Sequence, residues 1–225
     1  MVSSESTPTL PEEPTIWLGV ILRGDDHPKA CTGRRLLDWK KVHRLPPRGG
    51  RTPRLLLDPH AARILSRADE GTAREGGVVV VDCSWNQLAL RPQALDRSTT
   101  PDSRFLPRRL PLLLAANPQH FGRLSELNTV EAFAAALYLL GAPRAANGIL
   151  GGFRGGTTFL TLNQDRLEAY RQAASSEQMA ALERRLFGGA GYSGTGSKVT
   201  RSSPPTDSTG PSRGRRAAMT RPRSA

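Results

Sequence analysis

The chain has only two cysteines, Cys31 and Cys83, in 225 residues. That is too few for a disulfide framework, and a reducing, intracellular compartment is expected. Long apolar runs are missing as well. GVVVVDC (77–83) and LPLLLAANP (110–118) fall far short of the roughly 20 residues that a membrane-spanning helix needs. The polar start, rich in Ser, Glu, Thr and Pro, has no apolar stretch of the kind a signal sequence carries, so a soluble protein is expected. The histidines, His27, His43, His60 and His120, form no HExxH, and no second ligand pair with zinc spacing accompanies His27 and Cys31, so no metal is expected. The glycines do not match GxxxxGK[ST], which removes the usual support for a P-loop reading.

Acidic residues are scarce too: 32 Lys and Arg face 20 Asp and Glu, a formal charge of +12. Residues 192–225 hold seven of the basic residues and one acid, Asp207. The remaining chain is therefore itself positive, which favours a polyanionic partner because phosphate neutralisation releases counterions. RNA, DNA and an acidic protein all satisfy that signal.

The organisation expected is a disordered leader (1–14), an N-terminal portion (15–75), a larger domain (76–187) and a disordered basic tail (188–225). About 175 to 190 residues should fold, preferably as one compact unit. Ile16 to Leu22 reads as a buried first strand. Asp25, Asp26, His27 and Pro28 should turn the chain into a helix carrying Leu36, Leu37 and Val42. A basic connection, HRLPPRGGRTPR, leads to a short strand ending at Asp58-Pro59 and a helix over Ala61 to Ala68. Val78 to Asp82 is a second buried strand and LPLLLAANP a third. A polar loop then precedes the helix VEAFAAALYLLG, stopped by Gly141. A final pair of helices, LEAYRQA and EQMAALERRLF, follows the loop GGFRGGTTFLTLNQD. Strands alternating with helices imply an α/β fold with a mainly parallel sheet.

Asp82 and Trp85 stand where such sheets bind ligands, at the carboxyl end of a strand. A carboxylate and an indole there suit an amino group and an adenine, although the residues alone favour a helix cap and a core tryptophan. The loop from Pro118 to Thr129, with His120, Arg123, Ser125, Asn128 and Thr129, joins two buried elements and is either structural or ligand-binding. Arg34, Arg35, Lys40, Lys41, Arg44 and Arg48 form a basic set suited to phosphate contacts or simply a solvated face.

Four blocks in order, DHPKACTGRRL, GVVVVDCSW, LPLLLAANPQHFGR with LNTVEAFAAALYLLG, and GGFRGGTTFLTLN, resemble the ribosome-biogenesis aminocarboxypropyltransferases over roughly residues 16–187. The resemblance implies a fold similar to the SPOUT RNA methyltransferases, with a C-terminal trefoil knot and a small N-terminal α/β portion like one in a ribosome-recycling ATPase. It implies a transferase that uses S-adenosyl-L-methionine (SAM) as substrate and moves its 3-amino-3-carboxypropyl group to N3 of a uridine or pseudouridine in small-subunit rRNA, leaving 5′-methylthioadenosine. By position, the family's SAM contacts fall on Thr32, Val79, Leu110, Ser125 and Thr129, with Leu57, Pro59, Trp85 and Leu127 around the adenine and Asp82 beside the methionine moiety. Asp82, its pKa raised by burial against Trp85, is the expected general base or orients one. Two departures stand out: the family's GRPxKLS is here GRLSELN, so a proline has become Leu124 and a basic position Glu126. A cytoplasmic monomer acting on rRNA or a pre-ribosomal particle is expected. A SPOUT-like RNA methyltransferase and a non-catalytic assembly factor are the alternatives.

Overall fold

The computed structural model describes residues 12–23, 31–45, 52–82 and 104–188. The expectations for the Asp25 to Pro28 turn, Arg48, Cys83, Trp85 and the basic tail therefore lie outside the described residues. Among these residues the elements are β1 (Leu18–Leu22), α1 (Thr32–Asp38), β2 (His43–Arg44), β3 (Arg54–Leu57), a 3-10 turn (Arg67–Asp69), α2 (Glu70–Gly76), β4 (Val78–Asp82) and β5 (Phe105–Arg108). There follow α3 (Thr129–Leu139), α4 (Pro143–Leu150), α5 (Gly156–Leu162), α6 (Gln164–Arg171) and α7 (Ser176–Phe187).

The sheet has five strands in the order β2-β1-β4-β3-β5, and every neighbouring pair is parallel. All the strands therefore end on one edge. Valine and leucine suit the centre, where both faces are covered: β4 lies between β1 and β3, pairing Val80 with Val20 and Leu57. Pro107 sits in β5, an edge strand, where its missing N–H costs no ladder hydrogen bond. The division expected between residues 75 and 76 cuts through this sheet, because β4 is inserted between two strands that precede it. The described residues belong to one compact unit, Met1–Thr195.

Helix α3 is buried nearly all round, through Val130, Phe133, Ala134, Ala135, Ala136, Leu137 and Leu139, as a helix must be when neighbours cover every side. It packs against β4, α1, α4 and α6. Its start is fixed by a capping box: Asn128 accepts from the Glu131 amide and Glu131 from the Asn128 amide, each at 2.9 Å.

Three sequence expectations are corrected. The helix over Ala61 to Ala68 is absent, because Arg63, Ile64 and Leu65 are extended and bridge Arg109, with Leu65 N to Arg109 O at 2.8 Å and Arg109 N to Arg63 O at 2.9 Å. Helical structure begins only after Ser66, whose amide donates to the Asp69 carboxylate at 3.1 Å. The run LPLLLAANP is not a strand; β5 precedes it, and the run threads among helices whose side chains serve its backbone. Leu112 N donates to Glu183, Leu114 N to Asn163 and Ala116 N to Glu131, at 2.9, 2.8 and 2.8 Å. All three acceptor residues are buried, which meets the requirement that buried amides be paired without a neighbouring strand. The segment GGFRGGTTFLTLNQD is not all loop: α5 lies inside it, and α4, unanticipated, starts with Pro143 in its first turn.

The leader expected over residues 1–14 includes Glu13, which is held in the fold. Glu13 accepts from the amides of Arg144 and Ala145 and pairs with the Arg144 guanidinium at 3.0 Å, capping α4. Behind it a cavity of about 640 Å³ is lined by Ile16, Leu18, Lys41, Leu137, Arg144 and Ile149, beside the start of β1 and away from the strand ends.

Candidate functional site

Asp82 is the last residue of β4 and is buried, 7% exposed. Its side chain lies on the same face of the strand as Val78 and Val80, since residues two apart share a face. Three donors converge on it. The Cys31 thiol reaches Oδ2 at 2.7 Å and the Gly33 amide reaches the same oxygen at 3.2 Å. The Thr129 hydroxyl donates to Oδ1. Cys31 is the N-cap of α1 and Thr129 the first residue of α3, so one carboxylate ties together the starts of two helices and the end of a central strand. Negative charge suits that place, because unpaired amides and the helix dipole make each helix start partly positive. Gly33 allows the approach: a Cβ there would lie 2.9 Å from the Asp82 carboxyl carbon.

Of the expected positions, Thr129 meets Asp82 directly, and the others fall on the elements described next. Thr32 is the first residue of α1, next to Cys31. Leu57 closes β3 and is buried, and Pro59 follows in the turn that leaves the strand edge. There the Asp58 carboxylate accepts from the His60 amide at 2.8 Å. Burial pushes the Asp58 carboxyl above its ordinary value, against the pull of the His60 hydrogen bond and charge. Leu110 comes just after β5 and packs partly against the core. It follows Arg109, held by Glu183 through two bonds of 2.8 Å.

Ser125, Leu127 and Thr129 come from the loop leading into α3. This loop is a tight antiparallel reversal: Ser125 N donates to Leu113 O at 2.7 Å, Leu114 bridges Leu124, and Gly122 N donates to Ala115 O at 2.8 Å. Ser125 takes a left-handed backbone, φ +62°. Leu127 is buried in the core beside the start of α3. Both family departures are accommodated here. Leu124 takes part in the bridge, and Glu126 pairs with the Arg123 guanidinium and the His120 ring. Glu126 thus neutralises part of the loop where a basic residue would have added charge.

Val79 is not brought in with the others. It lies three residues before Asp82, on the opposite face of β4, with no exposure and with Gly19 and Leu56 as its strand partners.

The sequence reading missed Cys31 and Gly33 as partners of Asp82. Both fall within ACTGRR, and a cysteine directly before a helix, in the N-cap position usually held by Ser or Thr, was a local signal for them. The reading also missed the buried polar residues Glu131, Asn163 and Glu183 that support the 110–117 run. A charged residue inside an apolar helix pattern is a signal for burial with a partner, but does not identify the partner.

A family model described as "Ribosome biogenesis protein, C-terminal" matches residues 55–187. The chain is 41% identical over 165 residues to a protein of Methanopyrus kandleri named 16S rRNA aminocarboxypropyltransferase, covering 72% of this chain and 94% of that one. A protein of the same name from Thermoplasma acidophilum is 36% identical over 173 residues, covering 76% and 99%. Among solved structures, the SAM-dependent rRNA:acp-transferase Tsr3 from Vulcanisaeta distributa superposes with a TM-score of 0.62 at 28% identity, over 77% of this chain and 99% of that one. The region matched by the family model holds Asp82, Thr129 and the loop into α3, and on these matches the chain belongs to the family of 16S rRNA aminocarboxypropyltransferases.

Proposed function

We propose that this chain transfers the 3-amino-3-carboxypropyl group of SAM to N3 of a uridine or pseudouridine in small-subunit rRNA, releasing 5′-methylthioadenosine. The observation that carries the proposal is the Asp82 junction at the strand edge, within a region that aligns nearly end to end with proteins named for this reaction.

The residues present fit SAM chemically. Leu57, Pro59, Leu110 and Leu127 offer apolar surface for an adenine, with Trp85 as a further expected contact from outside the described residues. Thr32, Ser125 and Thr129 offer backbone and hydroxyl groups for the ribose and methionine moieties. Val79 contributes behind the site, through the strand that carries Asp82. SAM supplies a sulfonium that activates three attached carbons, so which one reacts depends on which is held in line with the nucleophile. Residues that enclose the methyl group and leave the side-chain methylene facing RNA select aminocarboxypropyl transfer.

The Asp82 carboxylate supplies negative charge for the ammonium of the methionine moiety and holds α1 and α3 in place around it. The base role expected of Asp82 demands more. Oδ2 already accepts two hydrogen bonds and Oδ1 one, so little acceptor capacity is left for the N3 proton once the ammonium is also held. The geometry therefore favours Asp82 as a positioning residue. The wider setting proposed is a cytoplasmic monomer that meets its rRNA in a pre-ribosomal particle.

The test is incubation of the full chain with SAM labelled in the carboxyl carbon and small-subunit rRNA from an unmodified strain. Label in RNA together with methylthioadenosine is expected. SAM binding with methyl rather than carboxyl label in RNA would turn the assignment to a methyltransferase, and RNA binding without SAM binding would make the chain an assembly factor.

A further inference from the structure

The end of α1 remote from Asp82 carries a surface that the transfer chemistry does not use. Trp39, the residue that caps α1, is 42% exposed. It is also fixed from several sides. The Arg35 guanidinium lies 4.8 Å from the centre of the indole and 4.6 Å from the Phe153 ring. The Trp39 and Phe153 rings are 4.8 Å apart, tilted by 58°. Arg35 also donates to the Gly152 carbonyl at 3.4 Å, joining α1 to the loop 151–155.

Lys41 completes the support. Its ammonium donates to the carbonyls of Gly148, Ile149 and Gly151 at 2.9, 3.1 and 2.7 Å, capping the end of α4, and stands 5.6 Å from the centre of the indole. Burial lowers its pKa from the ordinary lysine value. Three carbonyls take its three protons, so Lys41, expected as a phosphate contact, is committed to the fold. Arg34, Lys40, Arg44 and Arg154 remain exposed in the same stretches of chain, with Asp38 the neighbouring acid.

We propose that Trp39, backed by Arg35 and Phe153, is a stacking platform for a nucleobase of single-stranded rRNA next to the modified nucleotide, with Arg34, Lys40 and Arg154 on the flanking phosphates. The inference rests on the rRNA reading above. Aromatic and guanidinium planes recognise unstacked bases, whereas duplex RNA offers shape, phosphates and 2′-hydroxyls, so this combination favours a single strand or loop. An exposed indole ringed by cations fits an anionic partner with π faces. It is held before binding, so little order remains to be imposed when a base arrives. From Thr32 to Trp39 the helix rises about 10 Å, which places the platform at a neighbouring base rather than at the one reacting beside Asp82. The loop that holds Phe153 also packs against the 110–117 run. Gly155, at φ +76°, lies so close to the Ala116 carbonyl that a Cβ would sit 2.5 Å from its oxygen, and Ala116 precedes the loop into α3.

The experiment is a titration of a fluorescently labelled, uridine-rich single-stranded RNA oligonucleotide with the full chain, wild type, Trp39→Leu and Trp39→Phe. Ionic strength is set to screen the basic tail, and SAM binding and thermal unfolding are measured on the same samples. Leucine keeps apolar contact with Phe153 but has no π face, so Trp39→Leu should weaken RNA binding by about tenfold and leave SAM binding unchanged. Trp39→Phe should retain most of the affinity. The dependence on salt should be the same in Trp39→Leu as in wild type, while Arg34→Ala with Lys40→Ala lowers the slope of log affinity against log salt by about 0.7 per residue. Wild-type RNA affinity in Trp39→Leu overturns the platform, and so does an equal loss in Trp39→Phe. RNA binding that depends on Trp39, without carboxyl label ever entering rRNA, would instead sink the transfer reading and leave the platform standing.

Discussion

Thr129→Val isolates the hydrogen bond that joins the start of α3 to the strand edge. Valine matches threonine in shape, so the change removes the hydroxyl and leaves little cavity. In the folded protein that hydroxyl donates to Oδ1 of a carboxylate that is 7% exposed. A hydrogen bond to a charged group contributes about 1.5–3 kcal/mol, and a buried oxygen left unsatisfied carries its full desolvation cost. A loss of about 2 kcal/mol is expected, or about 4–8 °C in Tm for a domain of this size. In urea the midpoint should fall with an unchanged m value, and Thr129→Ser should recover most of the loss. SAM affinity should fall with it, since each 1.4 kcal/mol of preorganisation that binding must resupply costs about tenfold. A double-mutant cycle with Asp82→Asn should give a coupling energy of about 1.5–3 kcal/mol. A wild-type urea midpoint in Thr129→Val, with coupling near zero, would refute the account of Asp82 as the clamp between the two helices.

Glu183→Gln should cost about 2–4 kcal/mol, read as a drop in urea midpoint at constant m, because the amide nitrogen cannot accept from Arg109 and the half-buried guanidinium loses its charge partner. A loss under 0.5 kcal/mol would mean that water replaces the carboxylate behind the 110–117 run. At the N-terminal strap, burial works to raise the Glu13 pKa, but the Arg144 amide, its guanidinium and the Ala145 amide outweigh it and lower the value below 4.5. A depressed carboxyl pKa gives stability that is present above the ordinary value and disappears as pH falls through the lowered one. The stability difference between wild type and Glu13→Gln should therefore shrink on acidification below about pH 4.5; a difference that widens would overturn the capping of α4 by Glu13.

What the residues revealed by themselves was local. Val78 to Asp82 reads as a strand because four valines in a row suit a buried parallel strand and little else. Helix α3 was visible from its alanines and leucines and the glycine at its end. Both rest on interactions within a few residues, and those are written in sequence order. The basic excess pointed to a polyanion, and the four ordered blocks pointed to the family, without any contact being known.

The tertiary structure decided what each residue was for. Nothing in ACTGRR or in LNTVEA says that a thiol, an amide and a hydroxyl from separate helices will meet on one carboxylate 47 to 51 positions away. LPLLLAANP has the composition of a strand, yet its amides are taken by Glu131, Asn163 and Glu183, because a buried N–H needs an acceptor and does not require that acceptor to be a strand. Lys41 was one basic residue among several until three carbonyls at the end of α4 claimed its ammonium. Short-range preferences thus made the central strand, helix α3 and the family legible, and no more of the elements than that. The fold alone set the site and the division of labour among its charges, because desolvation and pairing depend on which distant groups are packed together.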